Sequence, residues 1–110
     1  MPDSVETIIR ETSEQLRKHL NPEAIWLFGS HARGDAGPDS DLDFLVVVAE
    51  SAEPRYRRAQ RAQRARAGLD PVTTPRDVLV LTRAEWDRDC RVPVSLANTV
   101  LHEGKILYER

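Results

Sequence analysis

Two aspartates one residue apart, Asp41 and Asp43, lie where an apolar run begins in this sequence. On an extended strand their side chains leave the same face, so two carboxylates are held side by side. Burying like charges beside a hydrophobic strand costs several kcal/mol unless something neutralises them. A divalent cation does so, and Mg²⁺ favours one or two carboxylates with water and substrate phosphates. The pair therefore indicates a magnesium and phosphate site.

A Gly-Ser pair supplies a second half of this site. The apolar run Ala24–Phe28 stops at Gly29 and Ser30. Glycine lets the backbone approach a phosphate, and free N–H groups at the start of a helix form an anion cradle. The alternative is a Gly- and Asp-rich hairpin loop whose aspartates form turns. That alternative does not explain Asp41 and Asp43, because aspartate is disfavoured where a strand has begun.

The spacing of these two half-motifs resembles a known family. Gly29-Ser30, ten intervening residues and then Asp41-Leu42-Asp43 in an apolar strand resemble the DNA polymerase beta-type nucleotidyltransferase superfamily. The strings Ala32-Arg33-Gly34 and Ser40-Asp41-Leu42-Asp43 are similar to its smallest branch, the minimal nucleotidyltransferases (MNT). That branch includes the MntA-type antitoxins of HEPN/MNT toxin–antitoxin pairs. Two linked half-motifs are more specific than either one alone.

The resemblance implies a set of site residues. Asp41 and Asp43, with Asp77 as a third carboxylate from an adjacent strand, are expected to be catalytic and to bind two Mg²⁺ ions. The residues expected to bind the nucleotide, ATP, are Gly29, Ser30, Arg33 and Ser40. Two alternatives stay open. Asp77 is either the third carboxylate of the site or a strand-edge residue that pairs with an arginine such as Arg76. Arg33 either contacts the nucleotide or holds the loop in place by pairing with Asp35 or Asp39.

The resemblance also implies an activity. MNT proteins of the MntA type transfer AMP to a tyrosine hydroxyl near the active site of a partner HEPN ribonuclease toxin. Because no acceptor-binding domain is recognisable in the sequence, we expect the acceptor to be held by another chain. Two other functions remain open: an antitoxin with a silent nucleotide site that inhibits by contact, and a transferase acting on a small antibiotic-type molecule.

The helices and strands predicted around these residues indicate a small α/β (α+β) fold. Apolar residues at helical spacing follow a cap formed by Asp3 with Glu6, and the helix ends at Asn21-Pro22. Helices are also predicted from Pro54 to Gly68, from Thr82 toward Cys90, and up to Gly104. The predicted strands are 24–28, 42–48, 76–82 and 105–108. A mixed sheet of three or four strands flanked by helices follows.

Composition narrows the class of protein. The 110 residues carry 16 Lys and Arg against 18 Asp and Glu, and they fit a single domain spanning 1–110. Cys90 is the one cysteine, and no apolar run approaches a membrane span, so a cytoplasmic location is expected. Arginines are concentrated in one predicted helix, and we expect them to form a solvated face. A protein-binding surface is the second alternative, and direct nucleic-acid binding is the third. These arginines are Arg55, Arg57, Arg58, Arg61, Arg64 and Arg66.

Overall fold

The centre of the molecule is a four-stranded mixed sheet, seen in a computed structural model that describes residues 4–37, 40–65 and 76–110. The strands are β1 (Ala24–Phe28), β2 (Leu42–Val48), β3 (Arg76–Thr82) and β4 (Lys105–Glu109), in the order β3-β2-β1-β4. The central strand β1 pairs antiparallel with β2 and β4, whereas β2 pairs parallel with β3. The predicted fold class and all four predicted strands are confirmed.

Helices connect and cover these strands. They are α1 (Val5–Leu20), α2 (Ser30–Arg33), α3 (Arg55–Ala65), α4 (Arg83–Cys90) and α5 (Leu96–Glu103). The side chain of Ser4 caps α1 by accepting from the N–H of Thr7, while the predicted cap Asp3 lies outside the described residues. The predicted end of the Arg-rich helix at Gly68 also lies outside them. No helix within the described residues is long and apolar enough to cross a membrane.

The sheet separates two apolar clusters, because alternate residues of a strand face opposite sides. On β2, Leu42, Phe44 and Val46 pack against α1 and α3, in a cluster that includes Ile8, Leu16 and Ala62. Leu45 and Val47 face the other side, where α4 and α5 contribute Trp86, Ala97 and Val100. Trp86 is a core residue that stacks on Trp26, with ring centroids 5.5 Å apart. Asp43 shares the face of Leu45 and Val47.

The Arg-rich helix α3 was predicted to present its arginines on a solvated face, and this prediction was wrong for Arg58. Arg58 is only 7% exposed and forms two bonds to the Glu85 carboxylate, at 2.6 and 3.1 Å. Its guanidinium also donates to the carbonyl oxygens of Val80 and Glu53. The bonds from Arg58 hold the pKa of Glu85 well below its usual range. Glu85 in turn completes the predicted capping box with Thr82, so one ion pair ties α3 to β3 and α4.

Candidate active site

The carboxylates lie together at one end of the sheet. In the parallel pairing of β2 with β3, Asp43 is the register partner of Asp77. Adjacent strands are about 4.8 Å apart, so the two residues are direct neighbours. Asp41 is exposed and directly precedes β2. The structure therefore brings together Asp41, Asp43 and Asp77, which sequence reasoning placed in one site.

Asp43 is the electrostatic centre of this group. Its pKa is raised above the usual value, first by burial and then by the nearby charges of Asp77 and Asp41. His31 and Arg33 act in the opposite direction and lower the same pKa. Three acids of like charge on one surface, with one of them half-buried, make a site that binding of a cation would stabilise.

Gly29 makes room for the Asp43 carboxylate. Phe28 is the antiparallel register partner of Asp43, so the next residue, Gly29, lies at the same end of the sheet. A Cβ atom built on Gly29 would overlap Oδ2 of Asp43, and the backbone of Gly29 has φ of +77°. Only glycine adopts that conformation at low cost and leaves the required space. The Gly-Ser pair and the Asp pair are thus in direct contact.

Replacing Gly29 by Ala is expected to reduce catalysis more than its strain alone explains. Gly34 is the matched control, because it has φ of +86° but nothing within 4 Å of an added Cβ. Both variants carry backbone strain, which is larger at Gly29, where φ of +77° and ψ of −157° define a region that is essentially restricted to glycine, than at Gly34 in the left-handed helical region. Only Gly29→Ala displaces the Asp43 carboxylate, so its turnover should fall about 100-fold further. Steady-state kinetics alongside thermal melting separates the two effects, and equal losses in both variants would contradict this contact.

The short helix α2 begins at Ser30, as the sequence predicted. The N–H groups of Ala32 and Arg33 both donate to the carbonyl oxygen of Gly29, at 3.1 Å. The N–H groups that open a helix have no acceptor inside it, so those of Ser30 and His31 are the ones available to an anion. They lie next to Gly29 and hence next to the carboxylates.

Side chains of the connecting loop hold its shape. His31 was expected to point to solvent, but it is half-buried, and its Nε2 bonds to the carbonyl oxygen of Ser40 at 3.2 Å. The hydroxyl of Ser40 accepts from the N–H of Gly37 at 2.8 Å. No sequence motif distinguished His31, because its role depends on a loop that returns to the start of α2.

Arg33 pairs with one of its two predicted loop partners. Its Nε lies 3.3 Å from the carboxylate of Asp35. The other predicted partner, Asp39, lies outside the described residues, as does the side chain of Arg76 that was weighed as a partner of Asp77. Both members of the Arg33–Asp35 pair are exposed, so the pair is screened by solvent and is free to rearrange.

The donor set fits a hard divalent cation. Across residues 4–37, 40–65 and 76–110, no group of three His, Cys, Asp or Glu side chains is arranged to hold a metal ion, so the three aspartates do not form a three-carboxylate metal group in this structure. Mg²⁺ does not need one, because it binds through one or two carboxylates and completes its shell with water and phosphate oxygens. Half-buried Asp43, whose pKa is raised first by burial and then by the neighbouring acids, fits that requirement together with exposed Asp41.

Comparison with known proteins identifies the domain. The family model described as the nucleotidyltransferase domain matches residues 9–107. A protein adenylyltransferase MntA from Thermococcus cleftensis is 39% identical over 48 residues, which is 44% of this chain. The matched stretch covers 48% of that relative, about half its length.

Solved structures share the fold. A putative nucleotidyltransferase from Sulfolobus solfataricus superposes with a TM-score of 0.66 and 23% identity, covering 94% of this chain and 79% of that one. A mutant of the toxin–antitoxin MntA-HpeT superposes with a TM-score of 0.61 and 23% identity, covering 98% of this chain and 75% of that one. At these identities the likeness establishes the architecture of the sheet and its helices.

Proposed function

This chain belongs to the nucleotidyltransferase domain family, and from that premise we propose that it transfers AMP from ATP to a hydroxyl group of a partner protein. The proposal is carried by the register of β2 with β3, which sets Asp43 beside Asp77. Both residues lie near the start of their strands, and Asp41 directly precedes β2. We further propose that the acceptor is a tyrosine of a HEPN ribonuclease toxin and that the chain acts as its cytoplasmic antitoxin. The matched stretch of MntA supports adenylyl transfer and the fold shared with the toxin–antitoxin MntA-HpeT supports a toxin partner, while the tyrosine and the HEPN class are taken from the family resemblance.

In this proposal Asp41 and Asp43 would hold Mg²⁺, which when bound would neutralise charge on the phosphates. Their oxygens are hard ligands, and burial, together with the charges of Asp77 and Asp41, raises the pKa of Asp43, a cost that a bound cation would offset. The N–H groups of Ser30 and His31, which follow Gly29 at the start of α2, would donate to the triphosphate. Arg33 changes its partner from Asp35 to a phosphate or the ribose, and Ser40 acts by holding the loop that presents the nucleotide.

Asp77 is the proposed proton acceptor. The attacking hydroxyl loses its proton to an Asp77 carboxylate oxygen while the hydroxyl oxygen bonds to the α-phosphorus. The bond from that phosphorus to the bridging oxygen breaks, and pyrophosphate leaves with the electron pair. Asp77 is suited to this role because it is exposed, yet lies next to Asp43 across the sheet. Positioning and electrostatic stabilisation supply most of the rate.

A direct test uses the protein encoded by the adjacent reading frame. The two proteins are purified together and incubated with ATP and Mg²⁺, and the intact mass of the partner is measured. We expect the partner to gain the mass of one or more AMP groups, with peptide mapping placing them on tyrosine. An ATP analogue with a methylene group between the α- and β-phosphorus atoms is the matched control, because its scissile bond cannot break.

The alternatives give different outcomes in the same assay. A partner that stays bound and inhibited with no change in mass would contradict transfer and favour an antitoxin that acts by contact. AMP on a serine or threonine would keep the transferase activity but reject the tyrosine acceptor. AMP gained equally from the methylene analogue would show that the mass change does not come from this reaction.

A further inference from the structure

Asp41 has no partner in the described strands to hold its backbone. β2 begins at Leu42, and the register of β2 with β1 ends at the pair of Asp43 with Phe28. The register of β2 with β3 likewise begins at Leu42. Asp41 is also exposed, so packing does not fix its side chain. Of the two aspartates proposed to hold Mg²⁺, Asp43 is therefore positioned by the sheet, whereas Asp41 depends on another contact.

That contact comes from the side chain of His31. Its Nε2 lies 3.2 Å from the carbonyl oxygen of Ser40, the residue directly before Asp41. A carbonyl oxygen only accepts hydrogen bonds, so Nε2 carries the hydrogen and donates it. The carbonyl of Ser40 and the N–H of Asp41 belong to one planar peptide unit. A bond that fixes this carbonyl therefore fixes the orientation of the chain as it enters Asp41.

His31 is itself held in a fixed place beside Asp43. It lies two residues after Gly29, whose backbone is in contact with the Asp43 carboxylate. The turn of α2 is closed by backbone hydrogen bonds to the carbonyl oxygen of Gly29, at 3.1 Å. The charge of His31 lowers the pKa of Asp43, as expected for an imidazole close to that carboxylate. A continuous path of contacts thus runs from Asp43 through α2 to the peptide before Asp41.

We propose that His31 is a positioning residue, which holds Asp41 beside Asp43 so that the two carboxylates can bind one Mg²⁺ ion. The inference rests on the proposed transfer of AMP, and it adds a residue that acts through Asp41 without touching the metal. Without the bond from the imidazole, the peptide between Ser40 and Asp41 is free to turn. Binding of Mg²⁺ then has to order that peptide, and the lost conformational entropy lowers the affinity.

Titration of the intact chain with Mg²⁺ alone tests this inference without catalysis. In protein labelled with ¹⁵N, the amide signals of Asp41, Leu42 and Asp43 are followed as Mg²⁺ is added, and their shifts give a dissociation constant. We expect His31→Ala to raise that constant about threefold to tenfold, the scale of one hydrogen bond. His31→Gln should restore an affinity close to that of wild type, because the glutamine amide nitrogen also donates and has a similar reach.

His102→Ala is the matched control. His102 on α5 also bonds to a backbone carbonyl oxygen, that of Asn98 at 2.8 Å, and it lies outside the carboxylate site. This variant should bind Mg²⁺ as wild type does. His31 borders a cavity of about 630 Å³ between α1 and β4, so removing its ring enlarges an existing space and does not empty a packed core. Without Mg²⁺, the melting temperatures of His31→Ala and His102→Ala should therefore be similar.

Three outcomes would overturn the inference. The first is an equal affinity for Mg²⁺ in His31→Ala and His102→Ala, and the second is a loss in His31→Ala that His31→Gln does not reverse. The third is the absence of saturable shifts in wild type, because Asp41 would then hold no metal. The proposed function fails differently: in that case Mg²⁺ binding depends on His31, but the partner gains no AMP when ATP is supplied.

Discussion

Replacing Asp43 by Asn should lower AMP transfer about 1,000-fold while leaving the fold intact. A metal ion contributes several kcal/mol of charge stabilisation, and each 1.36 kcal/mol is a factor of ten in rate. Asp43 is the half-buried member of the carboxylate group and the register partner of Asp77, so its loss weakens both metal binding and the alignment of the base. The measurement is initial transfer rate at saturating ATP and Mg²⁺.

Asp87→Asn is the matched control for that variant. Asp87 is an exposed aspartate on α4 with a loose ion pair to Arg83 at 3.9 Å, away from the carboxylates. The control should keep the wild-type transfer rate and thermal stability. A rate for Asp43→Asn within a few fold of the control would remove Asp43 from the proposed mechanism.

The raised pKa of Asp43 predicts a further difference between wild type and Asp43→Asn. In the absence of Mg²⁺, the folded chain holds this proton more tightly than the unfolded chain, whose pKa is near 3.8. The stabilisation that this bound proton gives the folded chain is therefore complete below the unfolded pKa, and it is lost as the pH rises through the pKa of the folded chain. At neutral pH the Asn variant should be at least as stable as wild type, and adding Mg²⁺ should stabilise only wild type. Chemical denaturation over pH 3–7 measures this.

The spacing of the motif predicted that its two halves lie close together, and the structure has Gly29 against the Asp43 carboxylate. Asp43 is a polar residue in the apolar strand β2 and Asp41 directly precedes that strand, a conflict between residue type and local structure that indicates a functional site. The strand boundaries followed from alternation and turn residues, and the structure confirms 24–28 and 42–48 as predicted. The contact between Gly29 and Asp43 follows from the pairing of β1 with β2, since the end of β1 lies beside the start of β2.

Features that depend on tertiary contacts could not be predicted in this way. Arg58 looked like five neighbouring arginines, and only the packing of α3 against β3 shows that, among those whose side chains the structure describes, it alone is buried with a carboxylate. The parallel register that pairs Asp77 with Asp43 likewise depends on a tertiary contact, because a long crossover separates β3 from β2 in the chain. Residue patterns within one segment carry no information about such partners.

Replacing Arg58 by Met should destabilise the folded chain by about 3 kcal/mol, the lower end of the cost of breaking a buried ion pair. Methionine fills a similar volume but leaves Glu85 without its main partner, and the carbonyl oxygens of Val80 and Glu53 without a donor. The cost stays at that lower end because Arg55 still pairs with Glu85 at 3.2 Å. Denaturant unfolding measures the free energy, and the melting temperature should fall by about 10–20 °C.

Arg57→Met on the same helix is the control for losing an arginine. Arg57 is exposed and lies over the ring of Tyr56, so its loss should change the free energy of unfolding by no more than about 0.5 kcal/mol. A double-mutant cycle of Arg58→Met with Glu85→Gln should give a coupling of about 1–3 kcal/mol. Equal costs for the two arginines would contradict the buried pair.

Val80, which accepts a hydrogen bond from Arg58, lies three residues beyond Asp77 on β3. At temperatures well below its melting temperature, Arg58→Met should therefore transfer AMP as wild type does. On heating, it should lose this activity at a lower temperature than wild type.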